Sequence, residues 1–342
     1  MHKARGELLV DGVLRLAPGQ PPESRPRSSS GQAHQVLAIP GGWDITGGDG
    51  RRLLVAAAPG EVPNPPAGTE PYDLVALDLL TRPAQLGLLR ARGFVRQHTQ
   101  VVALYTDHRI SSEEEMERRC RLWGATAGQD HQLITSLAPL PPKSRIQLPR
   151  PHRTLLLGGA RSGKSTEAEL RLSGEPSVTY LAAGPWANES WAGEGGQPDS
   201  EWAARVAAHR AARPSWWRTE ESLDVAGALR RETGALLIDG IGTWLAAIMD
   251  EAGAWATESA VATDEAGPLS TVRRRTDDFI DAWRQTRALV VAVTDQVGSG
   301  LVPPYPAGRI FRDQLGWLNQ RLASDSDVCM LVVAGKIVAL PA

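Results

Sequence analysis

Residues 154–165 read Thr154-Leu155-Leu156-Leu157-Gly158-Gly159-Ala160-Arg161-Ser162-Gly163-Lys164-Ser165. An apolar run ends on two glycines, and Gly158 to Ser165 fits the pattern GxxxxGK[ST]. Glycines let successive backbone N–H groups turn inward around a phosphate, and a following helix adds partial positive charge at its N-terminus. Lys164 would reach the terminal phosphates, and the Ser165 hydroxyl would ligate Mg2+ held with the nucleotide. Nucleotide contacts are therefore expected at Gly158, Gly159, Ala160, Arg161, Ser162, Gly163, Lys164 and Ser165. Thr154 to Leu157 reads as a strand and Thr166 to Leu172 as a helix, the context that the motif requires.

Downstream, Val178 to Ala182, Ala235 to Ile238, Leu289 to Thr294 and Val328 to Val333 are short and almost wholly apolar. Helix-length amphipathic segments separate them. Continuous apolar strands alternating with helices predict a mainly parallel sheet covered on both faces. Phe311, Leu315, Leu318 and Leu322 recur at helical spacing and predict one face packed on that sheet. The fold class is α/β: a P-loop, RecA-like domain preceded by a smaller α/β segment.

Two further constellations carry chemistry. Pro214 stops a helix at or before Arg213, which places Arg205, His209 and Arg213 four residues apart on one face. Flanking guanidiniums disfavour imidazolium, so His209 is expected to be neutral at pH 7. A neutral imidazole beside fixed cations suits attack on a phosphate; the same pattern also describes a solvated basic helix face with an incidental histidine. Asp239 ends the apolar run Leu236-Leu237-Ile238. It stands where a P-loop protein keeps an acid for Mg2+ or its water shell, or it simply caps the next helix.

The bulk numbers set limits. At 342 residues two domains are the natural expectation, and 42% hydrophobic with 22% charged residues is globular composition. A formal charge of −2 lacks the basic excess of a nucleic-acid binder, so none is expected as a partner. Two cysteines far apart suggest neither a disulfide framework nor a metal site. The N-terminus has no uninterrupted apolar core of a signal peptide, and no run of about 18 apolar residues predicts a membrane span. A cytoplasmic location is expected. Pro18 to Gln32 and Pro59 to Gly68 read as loops, and residues 137–151 read as a linker with a proline every few positions. The expected organisation is residues 1–136, a degenerate α/β domain with Pro/Gly-rich loops; 137–151, the linker; and 152–342, the P-loop domain. Leu53 to Ala58, Leu74 to Leu79 and Val101 to Tyr105 predict strands in the first part. Ser111 and Glu114 there predict the start of a helix running to about Trp123.

Residues 153–342 resemble the bifunctional adenosylcobinamide kinase and adenosylcobinamide-phosphate guanylyltransferase family of cobalamin biosynthesis. The resemblance lies in TLLLGGARSGKS, VTYLAA, DSEWAARVAAHRAARPSWWRTEE, LLIDGIGTWLAAIM, VVAVTDQVGSGLVPPYPAGRIFRDQLGWLNQRLASDSD and VVAGKIVAL. It implies a transferase that phosphorylates adenosylcobinamide with GTP or ATP and then carries GMP from GTP as a histidine phosphoramidate. The nucleophile falls on His209. Nucleotide contacts fall on Arg210, Ala211, Ala212, Arg213, Glu221 and Asp239, and on the turn Gly184, Pro185 and Trp186. The resemblance also implies a homo-oligomer. Three departures stand out: Thr294-Asp295-Gln296 replaces the usual Thr-Asn-Glu, Ala247 replaces an asparagine, and Ala183 replaces a threonine. These leave open a chain with one of the two activities, or a GTP-binding regulator without turnover.

Residues 73–131 resemble the end of a metallo-β-lactamase-like domain. The HxHxDH motif is absent, so no dinuclear metal site is expected, and His108 is read as structural.

Overall fold

The computed structural model describes residues 8–10, 14–16, 23–24, 35–56, 63–66, 68–80, 82–104, 110, 112–128, 133–134, 152–184, 213–255 and 267–341. The chain divides into two compact units, Met1–Gln147 with Ser173–Pro176, and Leu148–Leu172 with Ser177–Ala342.

In the first unit, β1 (Leu8–Val10), β2 (Leu14–Leu16), β3 (Glu23–Ser24) and the later β10 (Leu133–Ile134) form a sheet ordered β10-β1-β2-β3. Between them run β4 (Gln35–Ile39), β5 (Gly42–Thr46), β6 (Arg52–Ala56), β7 (Leu74–Leu77), α1 (Ala84–Ala91), β8 (Gln100–Ala103), α2 (Glu113–Trp123) and β9 (Thr126–Ala127). Strands β4 to β9 pair in sequence order, antiparallel as far as β6 and parallel thereafter. The strands expected over 53–58, 74–79 and 101–105 end at Ala56, Leu77 and Ala103, where pairing with the neighbour ends. Leu79 lies past its strand yet is fully buried, because apolarity reports burial rather than pairing. Helix α2 is capped by Ser112, whose side chain accepts from the Glu115 N–H, and Ser111 lies outside the described residues. The Glu115 side chain turns instead to Arg118 and Arg119, which lower its pKa to about 2.

The second unit runs β11 (His152–Gly158), α3 (Lys164–Leu172), β12 (Val178–Ala182), β13 (Arg218–Glu221), α4 (Val225–Arg231), β14 (Ala235–Asp239), α5 (Ile241–Glu251), α6 (Pro268–Gln285), β15 (Leu289–Asp295), α7 (Pro306–Ser324), β16 (Val328–Val333) and β17 (Lys336–Leu340). The sheet order is β13-β12-β14-β15-β11-β16-β17, parallel throughout except for the β16–β17 hairpin.

Successive residues of a strand point to opposite faces, and here both faces are covered. Leu155, Leu157, Leu236, Ile238, Val290 and Ala292 pack with Leu229 of α4, Trp244 and Ile248 of α5, Phe279 and Trp283 of α6, and Leu315, Leu318 and Leu322 of α7. Leu156, Leu237, Val291 and Val293 pack on the other side with Ala168 and Leu172 of α3. Continuous apolar strands are thus the signature of a sheet with no solvent face. Phe311 is partly buried against the first of these clusters, at the margin of the α7 stripe. Strand β11 begins two residues earlier than its apolar core, since His152 and Arg153 pair with Leu289 and Val290, and Arg153 forms an ion pair with Asp327.

Among the described residues no helix is long and apolar enough to cross a membrane. Both cysteines are free, Cys120 buried and Cys329 half-buried.

Candidate active site

Parallel strands in register bring their C-terminal tips to one edge of the sheet. Gly158 pairs with Asp295 and Val332, Asp239 pairs with Ala182 and Val293, and Ala182 pairs with Glu221. The chain leaves β11 through residues 159–163 and enters α3 at Lys164. Two positions there need glycine. A Cβ on Gly158 would press on the Ser162 side chain and lie 2.7 Å from the Val332 carbonyl oxygen, and Gly163 has φ +95°. Arg161 also has positive φ, 57°. The Gly335 N–H donates to the Ser162 carbonyl (2.8 Å), so the β16–β17 turn buttresses the loop.

Lys164 Nζ donates to the Gly159 carbonyl (3.1 Å) and pairs with Asp295 Oδ1 (2.9 Å). Asn319 of α7 fixes the backbone at that point: its side chain donates to the Asp295 carbonyl (3.0 Å) and accepts from Thr294 Oγ1 (2.7 Å). The Gln296 amide turns aside to Ser299 Oγ (3.4 Å). Of the two changed side chains, the carboxylate faces the P-loop lysine and the amide does not.

Ser165 Oγ donates to Asp239 Oδ1 (3.3 Å), and the Tyr180 hydroxyl donates to Asp239 Oδ2. Burial, with Asp239 second, raises the Tyr180 pKa, so the phenol stays a donor. The Arg213 guanidinium lies 3.2 Å from the centroid of the Tyr180 ring. Glu169, one turn after Ser165, is raised to about 7, first by burial and then by Asp239, against the opposing pull of Arg213. Glu169 Oε1 and Arg213 Nε are both buried without a hydrogen-bond partner among the described residues.

Beside Arg213 a cavity of about 380 Å³ is lined by Arg213, Pro214, Ser215, Trp217, Thr219 and Glu221. Gly184 follows β12 next to Thr243 of α5. The structure therefore brings Lys164 to Asp295 and Ser165 to Asp239, and it puts Arg213 and Glu221 on one cavity. Pro185, Trp186, Arg205, His209, Arg210, Ala211 and Ala212 lie outside the described residues, as does His108. Ala183 and Ala247 are buried.

Sequence reading passed over Tyr180 and Glu169. Each left a signal: Tyr180 is the one aromatic with a polar tip in an aliphatic strand, and Glu169 stands four residues after Ser165 on the same helix face. Among the described residues no three His, Cys, Asp or Glu side chains gather as a metal site.

The family described as cobinamide kinase / cobinamide phosphate guanyltransferase, CobU, matches residues 154–340. The chain belongs to this family. Bifunctional adenosylcobalamin biosynthesis protein CobU of Salmonella typhimurium is 35% identical over 189 residues, which is 53% of this chain and 95% of that protein. The corresponding CobP of Pseudomonas aeruginosa is 34% identical over 189 residues, 54% of this chain and 94% of that one. CobU of Escherichia coli is 31% identical over 185 residues, 53% of this chain and 95% of its own length. Among solved structures, the chain aligns over 53% of its length with half of an ATPase from a type III secretion system. That likeness, at 13% identity and a TM-score of 0.33, is too slight to carry argument. Apart from Ser173–Pro176, the cobinamide kinase / guanyltransferase match falls within the second unit, where the P-loop, Asp239 and the cavity lie.

Proposed function

We propose that this chain works in cobalamin biosynthesis as a bifunctional transferase. It phosphorylates the hydroxyl of adenosylcobinamide from a nucleoside triphosphate and then transfers GMP from GTP to that phosphate, giving adenosylcobinamide-GDP. The observation that carries the reading is the pairing of Ser165 with Asp239 and of Lys164 with Asp295 at the tips of parallel strands, in a chain spanning nearly the whole length of three bifunctional relatives.

In this reading the backbone of residues 158–165 holds the phosphates and Lys164 meets their terminal charge. Mg2+ fits the oxygens present: neighbouring ligands of an octahedral Mg2+, with bonds of about 2.1 Å, lie about 3 Å apart. Ser165 Oγ and Asp239 Oδ1 are separated by 3.3 Å. These two would hold the ion with the nucleotide, where it would neutralise phosphate charge. Gly184 to Trp186, Arg210 to Arg213 and Glu221 would take the rest of the nucleotide.

In the first step the acceptor hydroxyl oxygen bonds to the γ-phosphorus, and the bond from that phosphorus to the leaving diphosphate breaks. In the second, a His209 nitrogen bonds to the α-phosphorus as pyrophosphate leaves. A phosphate oxygen of the acceptor then takes the GMP and frees the imidazole.

The test is incubation with α-labelled GTP. The chain should become covalently labelled, the adduct should be acid-labile and alkali-stable, and adenosylcobinamide phosphate should discharge it. His209→Ala should abolish labelling while phosphorylation persists. Undiminished labelling of His209→Ala, or an acid-stable adduct, puts the nucleophile elsewhere. One observation favours a narrower reading: Lys164 is held by a carboxylate at position 295, where the family usually carries asparagine. A chain that labels with GMP but never phosphorylates adenosylcobinamide would be that guanylyltransferase alone. We also infer a homo-oligomer in the cytoplasm, where nucleoside triphosphates are supplied. Light scattering on the purified chain reads its mass, and a monomer refutes the assembly.

A further inference from the structure

Tyr180 touches both parts of the site. It lies on β12, two residues before the strand ends, in register with Thr219 of β13 and Leu237 of β14. Its ring is buried on the α3 face of the sheet, 2% exposed. The hydroxyl donates to Asp239 Oδ2, which leaves Oδ1 turned to Ser165 at the start of α3. The ring carries Arg213, which lines the cavity with Glu221. Among the described residues the Arg213 guanidinium stacks on this ring, and its Nε has no hydrogen-bond partner there. Arg213 stands four residues after His209 in the chain.

We propose that Tyr180 is a positioning residue shared by the two half-sites: its hydroxyl sets the Asp239 carboxylate against the P-loop, and its ring holds Arg213 at the cavity wall. The proposal rests on the reading of the site as one that binds GTP with Mg2+ and forms a GMP adduct. Its two contacts are chemically separable. Tyr180→Phe keeps the ring under Arg213 and removes the hydrogen bond to Asp239. Tyr180→Leu removes both.

The experiment takes the full-length chain and both variants. It reads GTP affinity by intrinsic tryptophan fluorescence with and without Mg2+, single-turnover labelling from α-labelled GTP at saturating GTP and Mg2+, and the thermal midpoint. Tyr180→Phe should lose about tenfold of the gain in GTP affinity that Mg2+ confers, the size expected for one hydrogen bond to a charged group. Its Mg2+-free affinity should stay that of the parent, and its labelling rate is the reference for the Tyr180→Leu variant. Tyr180→Leu should show the same Mg2+ defect and label on the order of tenfold more slowly, from the lost cation–π contact and a displaced Arg213. A residue that merely packs the core would lower the thermal midpoint in both variants and leave the Mg2+ gain intact. That pattern overturns the proposal, as does Tyr180→Leu labelling at the Tyr180→Phe rate. Should Tyr180→Leu fail to fold, Tyr180→Met replaces it, keeping most of the bulk and losing the ring under Arg213. Slower labelling then supports the proposal and an unchanged rate overturns it. Absence of labelling in the parent chain sinks the guanylyltransferase reading, whereas the Mg2+-linked GTP affinity of Tyr180→Phe still tests the hydroxyl's role.

Discussion

Lys164 is a cation with a counter-ion already in place, because Asp295 pairs with it at 2.9 Å before any phosphate arrives. Nucleotide binding must replace that pair and bring more negative charge beside the carboxylate. Asp295→Asn is therefore expected to tighten GTP binding by roughly twofold to fivefold, as befits a partly exposed ion pair. Equilibrium titration checks it, and weaker binding would mean that Asp295 helps to hold the nucleotide. Glu169 gives a second residue-scale test. Its folded pKa of about 7 lies above the ordinary 4.5, so the folded chain holds the proton more tightly than the unfolded one. The stability that this provides is complete below pH 4.5 and is lost as pH rises through about 7. Relative to Glu169→Gln, the parent should lose thermal stability across that window, and parallel curves would refute it. At this scale the sequence yielded the P-loop and Asp239, since both follow apolar strands. It could not yield the Tyr180–Asp239–Ser165 chain, because residues 59 and 74 positions apart along the chain meet only once the strands are in register.

Helix α7 shows what an element does beyond covering the sheet. Its apolar stripe was readable from Leu315, Leu318 and Leu322, but the task of Asn319, between two of those positions, was not. In the fold it is 5% exposed and joins α7 to the end of β15 by two hydrogen bonds. Asn319→Ala should cost about 2–3 kcal/mol, the net worth of those bonds plus the partners left unsatisfied. Urea unfolding measures it, and a loss under about 0.5 kcal/mol, the scatter of ordinary surface substitutions, would mean that water replaces the amide freely. The start of α2 illustrates the opposite limit. Ser111–Glu114 and Ser112–Glu115 offer the same spacing one residue apart, and only the backbone geometry selects Ser112.

At the scale of the whole molecule, the P-loop, the cavity and nearly all of the family match belong to the second unit, whose central strands are apolar and buried. The first unit was harder to read because its strands are short and its runs of Pro and Gly interrupt any period. We expect a polypeptide starting at Leu148 to fold cooperatively and bind GTP with the parent's affinity. If it melts cooperatively yet binds no GTP, residues before Leu148 contribute to the site.

The sheet order also sets a timetable. β11 pairs with β15 and β16 and with no earlier strand, so the P-loop strand has no partner until Leu289 and beyond have been made. At roughly 5–20 residues per second, a ribosome leaves both edges of β11 bare for on the order of ten seconds. An apolar strand with open edges is a template for self-association. The nascent chain therefore needs shelter on or near the ribosome during that interval, and its yield in the cell should depend on how fast it is translated between β11 and β15.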